Sequence, residues 1–348
     1  MTSICFFLFF CIWNLHSENQ GNPLSVVIIG GGPAGLATAI EAHALGADVT
    51  IIEKRDVYIR IQRLFLTDST INLLEKWGVS VPEMQVTDIG MGKRDGFVKI
   101  KYLEQGLENR VKELGIKKIQ GEFMGIKGEE KILIYAQEEA NEFSYDILVA
   151  ADGAHSRVRD SLGIRPRCFG TAKAALAFIE CEDFHGEDNQ ELVKKNDLYT
   201  VRISVPSLRI IFVQAFTNSF KSGQRISLKK LEQTTRECGW LQEADCILEG
   251  KAETSLDIEV RLQQARAFSD EKRSAIVIGD AAASASFFLG NGVNTAFLTV
   301  ALAGDFFKRV LEQDGDAYPI FNQMMQETTD KLINESRHLF HSDYTPPN

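Results

Sequence analysis

Gly30 to Gly35 (GGGPAG) has the spacing G-x-G-x-x-G, set between a short β-branched run, Ser25 to Gly30 (SVVIIG), and a stretch of helical composition, Pro33 to Leu45. Glycine has a separate task at each of the three places. Gly30 permits a tight turn, Gly32 lets backbone approach a pyrophosphate, and Gly35 lets the helix pack closely on the sheet. Pro33 and Ala34 open the helix, whose unpaired N–H groups and positive dipole end face the phosphates. Asp48 to Glu53 (DVTIIE) reads as a second strand. Glu53 ends it, with Lys54 beside it, where an acid accepts hydrogen bonds from adenosine ribose hydroxyls. The chemistry implied is dinucleotide binding on a βαβ unit.

Two further strings carry candidate ligands. Asp146 to Arg159 (DILVAADGAHSRVR) is a strand that ends in a sharp turn at Asp152-Gly153. Val277 to Asn294 (VIGDAAASASFFLGNGVN) is a strand closed by Gly279-Asp280, followed by a turn, Gly290-Asn291-Gly292-Val293-Asn294, that opens a helix. In this order the three strings closely resemble the motifs of class A flavoprotein monooxygenases, the p-hydroxybenzoate-hydroxylase-like FAD enzymes. The resemblance covers roughly Val26 to Asp330 and implies FAD as cofactor. It places Asp152 and Gly153 near FAD and the nicotinamide cofactor's phosphates, Asp280 on a hydroxyl of the ribityl chain, and Gly290, Gly292, Val293 and Asn294 at the isoalloxazine. There the helix N-terminus meets the negative charge of reduction. The family usually has a His after the double Ala and a Pro before the glycine turn, whereas this chain reads Ala283 to Phe288 (ASASFF).

Two shorter strings match as well. Arg60 to Leu66 (RIQRLFL) resembles the segment from which family members send an Arg to the FAD phosphates; Arg60 and Arg63 are both candidates. Arg60 is preferred, because R-x-Q followed by apolar residues resembles the monooxygenase domain of the actin-oxidising MICAL proteins. Ile100 to Glu104 resembles a helix start whose Gln or Glu contacts the flavin side, which makes Glu104 a candidate.

The elements that must hold these residues follow from periodicity. Thr67 to Gly78 and Tyr102 to Leu114 read as amphipathic helices, and Ile116 to Ile126, Lys131 to Gln137 and Tyr145 to Ala151 as strands. From Pro166 to Phe268 the texture is strands with few helical windows, including Leu198 to Val205 and Leu208 to Phe216. Arg273 to Gly279 returns to a buried strand, and helices follow over Val293 to Gln313 and Tyr318 to Phe340. The fold expected is α/β: a Rossmann-type FAD-binding domain with an inserted, mainly antiparallel β-sheet substrate domain and C-terminal helices. Its parts are an N-terminal extension over 1–22, the first piece of the FAD-binding domain over 23–165, the insertion over 166–268, the second piece over 269–312, and a C-terminal helix and tail over 313–348. In the inserted sheet Arg202 and Gln214 sit among apolar neighbours where they could orient a polar substrate, and Phe287 could line an apolar pocket.

Composition sets the limits. The 348 residues predict about two domains at roughly 150 residues each, and 44% apolar with 25% charged residues is globular. A net charge of −10 without a basic block argues against a nucleic-acid partner. The six cysteines include no C-x-x-C pair, which disfavours a metal site and a disulfide framework and points to a reduced, cytoplasmic enzyme. Ile4 to Trp13 (ICFFLFFCIW) complicates that reading. It reads as a mis-called start, a signal-peptide core or an anchor, so export or membrane association stays open. None of the six histidines has a partner at recognisable spacing.

The function expected from the resemblance is an FAD-dependent monooxygenase. NADPH or NADH would act as transient co-substrate near Asp152 to Arg159, since the chain has a single G-x-G-x-x-G. O₂ would oxygenate a small aromatic or apolar substrate through a flavin C4a-hydroperoxide. The alternatives are a flavin reductase or dehydrogenase acting on an isoprenoid or other lipid-like chain, a MICAL-like protein oxidase, and a flavin-binding protein without turnover.

Overall fold

The structure is a computed structural model that describes residues 22–57, 60–181, 189–195, 198–205, 208–215, 225–286 and 290–340. The chain opens β1 (Ser25–Ile29), α1 (Pro33–Ala44), β2 (Asp48–Glu53), β3 (Arg63–Leu66), α2 (Asp68–Lys76), β4 (Gln85–Gly90), β5 (Lys93–Lys99) and α3 (Ile100–Glu113). It continues with β6 (Lys117–Gln120), β7 (Glu122–Lys127), β8 (Lys131–Ala136), β9 (Glu139–Ser144), β10 (Ile147–Ala150), α4 (Arg157–Ser161) and β11 (Pro166–Glu180). Then come β12 (Asn189–Lys195), β13 (Leu198–Val205), β14 (Leu208–Ala215), α5 (Leu228–Glu237), α6 (Leu241–Leu248), β15 (Glu253–Ala265) and β16 (Ser269–Asp270). The last elements are β17 (Ala275–Val277), α7 (Gly279–Ala282), β18 (Ala283–Ser284), α8 (Asn291–Leu311) and α9 (Ala317–Ser336), with a 3-10 turn over Arg337–Leu339.

The apolar runs that end in the three motifs become neighbouring strands of one sheet, ordered β16-β17-β10-β1-β2-β6. β17, β10, β1, β2 and β6 run parallel, which brings the ends of β17, β10 and β1, each with a glycine within the next three residues, to one edge. These strands are covered on both faces and so read as continuous β-branched runs. α1 and α8 pack on the sheet, and Trp77 of the α2 end stacks edge-on against Phe297 of α8 at 5.3 Å.

The second large sheet is antiparallel, ordered β12-β13-β14-β11-β15-β18. Its side chains alternate between two packed faces. Leu176, Phe178, Val201, Ile210, Phe212 and Leu262 pack on the inner face with Leu339 and Phe340 of the C-terminus. Ala175, Ile179, Ile211 and Val213 pack on the outer face under Leu231, Trp240 and Ile247. The two helices of the outer layer, α5 and α6, fall within the stretch whose texture reads as strands. They are ten and eight residues long and carry few large apolar residues, Leu228 and Leu231 in the first and Leu241, Ile247 and Leu248 in the second, so neither stands out from a strand-rich stretch.

A three-stranded sheet, β3-β5-β4, is likewise absent from the sequence reading: β4 and β5 form a hairpin, and β3 joins it from the far side of the α2 helix. It joins the two cores: Leu66 and Val98 face the first and Phe97 the second. α9 does the same, with Phe321 and Met325 in the first core and Ile333 in the second. Among the described residues no helix is long and apolar enough to cross a membrane. Ile4 to Trp13 and Phe287 lie outside the described residues.

Candidate functional site

The glycine turn separates into positions that the protein itself requires and one that it does not. Gly30 has φ +111°, and a Cβ there would lie 2.3 Å from the Ala151 carbonyl oxygen at the end of β10. A Cβ on Gly35 would lie 1.9 Å from the Gly30 oxygen. Both glycines are fixed by backbone passing backbone. Gly32 has φ −79° and ψ −177°, which any residue adopts, and a Cβ there would meet only the Arg55 guanidinium, at 3.9 Å. No described residue demands glycine at that place, which leaves the space in front of the turn open. The α1 N-terminus behind it carries no side-chain cap, which leaves its first N–H groups directed at the same space.

Glu53 is 4% exposed and accepts from Gly31 N at 2.5 Å, Arg55 N at 2.8 Å, Arg55 Nε at 3.1 Å and Arg55 Nη2 at 3.4 Å. Burial pushes its pKa up, but the hydrogen bonds from Arg55 and Gly31 outweigh burial and hold it below the usual carboxylate value. The carboxylate is therefore charged, and it clamps the turn with all four of its lone-pair directions engaged. Lys54 is exposed and makes no hydrogen bond among the described residues. The cation at the turn is Arg55, which sequence reasoning missed, because nothing local distinguishes adjacent residues after a strand end.

Arg60 and Glu104, 44 positions apart, come together: Arg60 Nη2 donates to Glu104 Oε1, and Arg55 Nη1 lies 3.9 Å from the same oxygen. Glu104 is fully buried on α3, and burial pushes its pKa up against the pull of Arg60 and Arg55. Among the described residues, Arg60 Nε, Gln62 Oε1, Arg63 Nε and Glu104 Oε2 are buried without a hydrogen-bond partner. Buried polar atoms are nearly always paired, so the orphans on Arg60, Gln62 and Glu104 are candidate contacts for a polar ligand. Gln62 is the second residue that sequence reasoning missed, although it stands inside the R-x-Q string. Arg63 points elsewhere, to an ion pair with Glu180 between the rings of Phe97 and Phe178.

Asp280 follows β17. The residue is exposed, no described residue hydrogen bonds to its carboxylate, and desolvation by the surrounding protein pushes its pKa up, opposed by the charge on Arg60. Gly279 brings Asp280 against the first motif, since a Cβ on the glycine would lie 2.8 Å from Ala34 Cβ.

Gly290, at φ +66°, is the N-cap of α8 and abuts Phe65 of β3, and a Cβ on Gly292 would meet nothing. Val293 is partly buried on the first core. Asn294 ties the turn down: Oδ1 accepts from Thr67 N at 3.0 Å and Thr70 Oγ1 at 2.6 Å, while Nδ2 donates to the Phe65 and Gly290 carbonyls, each at 2.9 Å.

At the second motif the placement differs from expectation in its detail. The Asp152 carboxylate accepts from Ser156 Oγ, from Arg157 N at 2.7 Å and from Val158 N at 3.2 Å, so it caps α4. Burial still leaves its pKa raised. What faces the glycine turn is the Ala151–Asp152 backbone, with Gly153 beside it at φ +87° and open space where a Cβ would stand. Arg159 is 3% exposed and donates to the Ala281 carbonyl at 3.0 Å, riveting the second motif to the third.

The substrate-side candidates do not share a site. Gln214 lies on the inner face of the antiparallel sheet, fully buried, with its amide bonded to Ser286 and to the Leu339 carbonyl. Arg202 is on the opposite face: it pairs with Glu191 and with Glu243 at 2.9 Å, and stacks over Trp240 at 5.2 Å. That corrects its expected place. Strand alternation sends the side chain of Arg202 to the layer of α5 and α6, away from the motifs.

A family described as "Pyridine nucleotide-disulphide oxidoreductase" matches residues 24–182, and one described as "FAD binding domain" matches residues 125–317. The [F-actin]-monooxygenase MICAL2 of Rattus norvegicus is 26% identical over 229 residues, covering 59% of this chain and 10% of that protein. The chain thus spans about a tenth of the curated relative it matches. Among solved structures, 2-methyl-3-hydroxypyridine-5-carboxylic acid oxygenase superposes with a TM-score of 0.69 at 18% identity over 91% of both chains. OxyS anhydrotetracycline hydroxylase from Streptomyces rimosus superposes at 0.71 and 17% identity over 90% of this chain and 68% of the other. The "FAD binding domain" match takes in more than half of the chain and runs through the turns at Asp152, Asp280 and Gly290, so the protein belongs to the FAD-binding-domain family of class A flavoprotein monooxygenases.

Proposed function

We propose that this chain binds FAD along the line from Gly32 to Gly292, takes electrons from NADPH or NADH, and uses O₂ to oxygenate a small aromatic or apolar substrate. The observation that carries the reading is the set of orphaned polar atoms on Arg60, Gln62 and Glu104 near a glycine, Gly32, that no described residue requires. When bound, FAD supplies the two-electron transfer and oxygen chemistry that side chains lack.

The chain's own residues bind and orient. The uncapped α1 N-terminus and Arg60 oppose phosphate charge, with Arg55 behind the turn. Lys54, exposed at the end of β2, stands at the adenosine end, while the Glu53 carboxylate expected on the ribose is already taken up by Arg55 and Gly31. Asp280, with no donor among the described residues, accepts from a hydroxyl, and the N–H groups of Gly292 and Val293 at the start of α8 favour negative charge on a ring placed against them. The inner face of the antiparallel sheet, with Phe178, Val201, Ile210 and Phe212 packed under Leu339 and Phe340, is an apolar core on the substrate side of the fold. Near Asp152 to Arg159, Arg157 is half exposed and paired with an equally exposed Glu122, a loose partner that a nicotinamide cofactor's phosphate could displace.

A second reading, oxidation of protein methionine, is supported by the MICAL relatives, some of whose names read protein-methionine sulfoxide oxidase, and by the orphaned Arg60 and Gln62 atoms of the R-x-Q string. The experiment that tests the reading is the visible absorbance of the purified protein as NADPH is added without and then with oxygen. A flavin band that bleaches and recovers supports an oxidoreductase, and product mass then separates oxygen insertion from hydrogen addition. A chain that takes up no flavin refutes the proposal. Incubation with actin followed by methionine mass analysis decides the second reading.

A further inference from the structure

Arg63 is the candidate of the Arg60 to Leu66 string that the cofactor reading leaves unused. β3 pairs antiparallel with β5 so that Arg63 lies opposite Lys99 and Phe65 opposite Phe97, all four on one face of the small sheet. That face meets the end of the antiparallel sheet, where Phe178 and Glu180 stand two apart on β11 and Glu253 of β15 lies opposite Phe178. The Arg63 guanidinium is 5.7 Å from the centre of the Phe97 ring and 5.9 Å from that of Phe178, and it pairs with Glu180. Lys99 Nζ lies 3.0 Å from Glu253 and 3.9 Å from Glu180.

The Arg63 pairing is lopsided. The arginine side chain is 13% exposed and the glutamate 65%. Arg63 Nε is buried without a hydrogen-bond partner among the described residues, and burial pulls the guanidinium pKa below its ordinary value against the charges of Glu253 and Glu83. An ion pair whose anion stands in water contributes little, whereas a guanidinium held between two rings presents a fixed fork of donors that a planar carboxylate matches. Phe65 leads from this cation toward the cofactor. Two residues along β3 span about 7 Å, and a Cβ on Gly290 would lie 3.2 Å from Phe65 Cβ. Phe65 is 44% exposed, so one face carries in order a cation, an open apolar side chain and the turn that the FAD reading assigns to the flavin ring.

We propose that Arg63 anchors an acidic group of the substrate, which makes the substrate class a small aromatic or apolar monocarboxylic acid. Its carboxylate takes the place of Glu180 on the guanidinium, and its body lies along Phe97 and Phe65 toward the Gly290 turn. Glu83, Glu180 and Glu253 around the cation oppose a doubly charged group, so a carboxylate suits the place better than a phosphate. The proposal rests on the FAD reading above and names its substrate class.

Its test uses the full chain loaded with FAD. Wild type, Arg63→Met and Glu180→Gln are titrated with benzoate and with its neutral counterpart benzamide while the flavin absorbance is followed. Wild type is expected to favour benzoate by about tenfold or more, the worth of a charge-assisted hydrogen bond. Arg63→Met, which keeps an apolar stem between the rings, is expected to erase that preference and retain benzamide binding. Glu180→Gln is expected to tighten benzoate about two- to fivefold, because the competing carboxylate is gone; a purely structural ion pair would give no such gain. Equal response to both probes, or to neither, in flavin-bearing wild type overturns the proposal. So does an Arg63→Met protein that loses both probes alike, or a Glu180→Gln protein that binds benzoate no better than wild type. Should Arg63→Met not fold, the Glu180→Gln titration decides alone. A wild type without FAD refutes the functional reading and this proposal together, whereas a flavin-bearing wild type indifferent to the carboxylate refutes this one alone.

Discussion

Replacing Gly32 separates what the protein needs from what its ligand needs. At φ −79° an alanine is unstrained, and its methyl would meet nothing nearer than Arg55 at 3.9 Å. Alanine is a poorer helix N-cap than glycine by about 0.5–1 kcal/mol, while the unfolded chain loses freedom worth about 0.4–1 kcal/mol. The two effects oppose each other, so the apoprotein midpoint should stay within about 2 °C of wild type. Binding should respond differently, because the methyl occupies the space where backbone admits a pyrophosphate. Gly32→Ala should weaken FAD at least about a hundredfold, near 2.8 kcal/mol at 1.4 kcal/mol per tenfold, and Gly32→Val should abolish retention. Gly35→Ala is the control: its Cβ would sit 1.9 Å from the Gly30 oxygen, so the fold itself should fail. Differential scanning fluorimetry reads the first effect and quenching of FAD fluorescence the second. A Gly32→Val protein that folds and holds FAD like wild type would falsify the assignment of the turn as the cofactor cradle. An apoprotein of Gly32→Ala several kcal/mol less stable would show that the glycine serves packing.

Desolvation holds the Asp280 pKa above its ordinary value, so the carboxylate costs the apoprotein stability above that raised pKa, and the cost disappears as pH falls through it toward the unfolded value of about 3.9. Asp280→Asn should therefore be the more stable apoprotein in thermal melts at neutral pH, level with wild type near pH ~4, and should bind FAD about tenfold more weakly; equal stability at every pH contradicts this. Asn294→Ala leaves the Thr67 N–H and the Phe65 and Gly290 carbonyls without their partner and should cost about 3 kcal/mol in urea unfolding. A loss under about 1 kcal/mol would mean that these bonds do not hold the turn. Arg202→Met should lower stability by about 2 kcal/mol, because buried Glu243 loses its nearest cation, with FAD content and spectrum unchanged. A lost flavin would return Arg202 to the site.

Features whose causes are local can be read from consecutive residues. A glycine at a sharp turn, a β-branched run covered on both faces and an open helix N-terminus each need only a few neighbours in the chain. Gly30, Gly35, Gly279 and Gly290 are therefore legible in the amino-acid string, and so are the parallel strands that end in the motifs. Tertiary packing decides whatever depends on which distant groups share a volume. Strand alternation is visible in Leu198 to Ala215, yet only the packing of α5 and α6 on one face and of Leu339 and Phe340 on the other shows that Gln214 looks inward and Arg202 does not. Lys54 and Arg55 are equivalent as neighbours in a string, and the Glu53 carboxylate chooses between them. The Asp152 carboxylate is drawn into capping α4 by N–H groups of its own loop, and Arg159 spans from that loop to Ala281, 122 positions on. Desolvation, which raises Asp280 and Glu104, is a sum over surroundings brought together from distant parts of the chain. No window of sequence contains that sum.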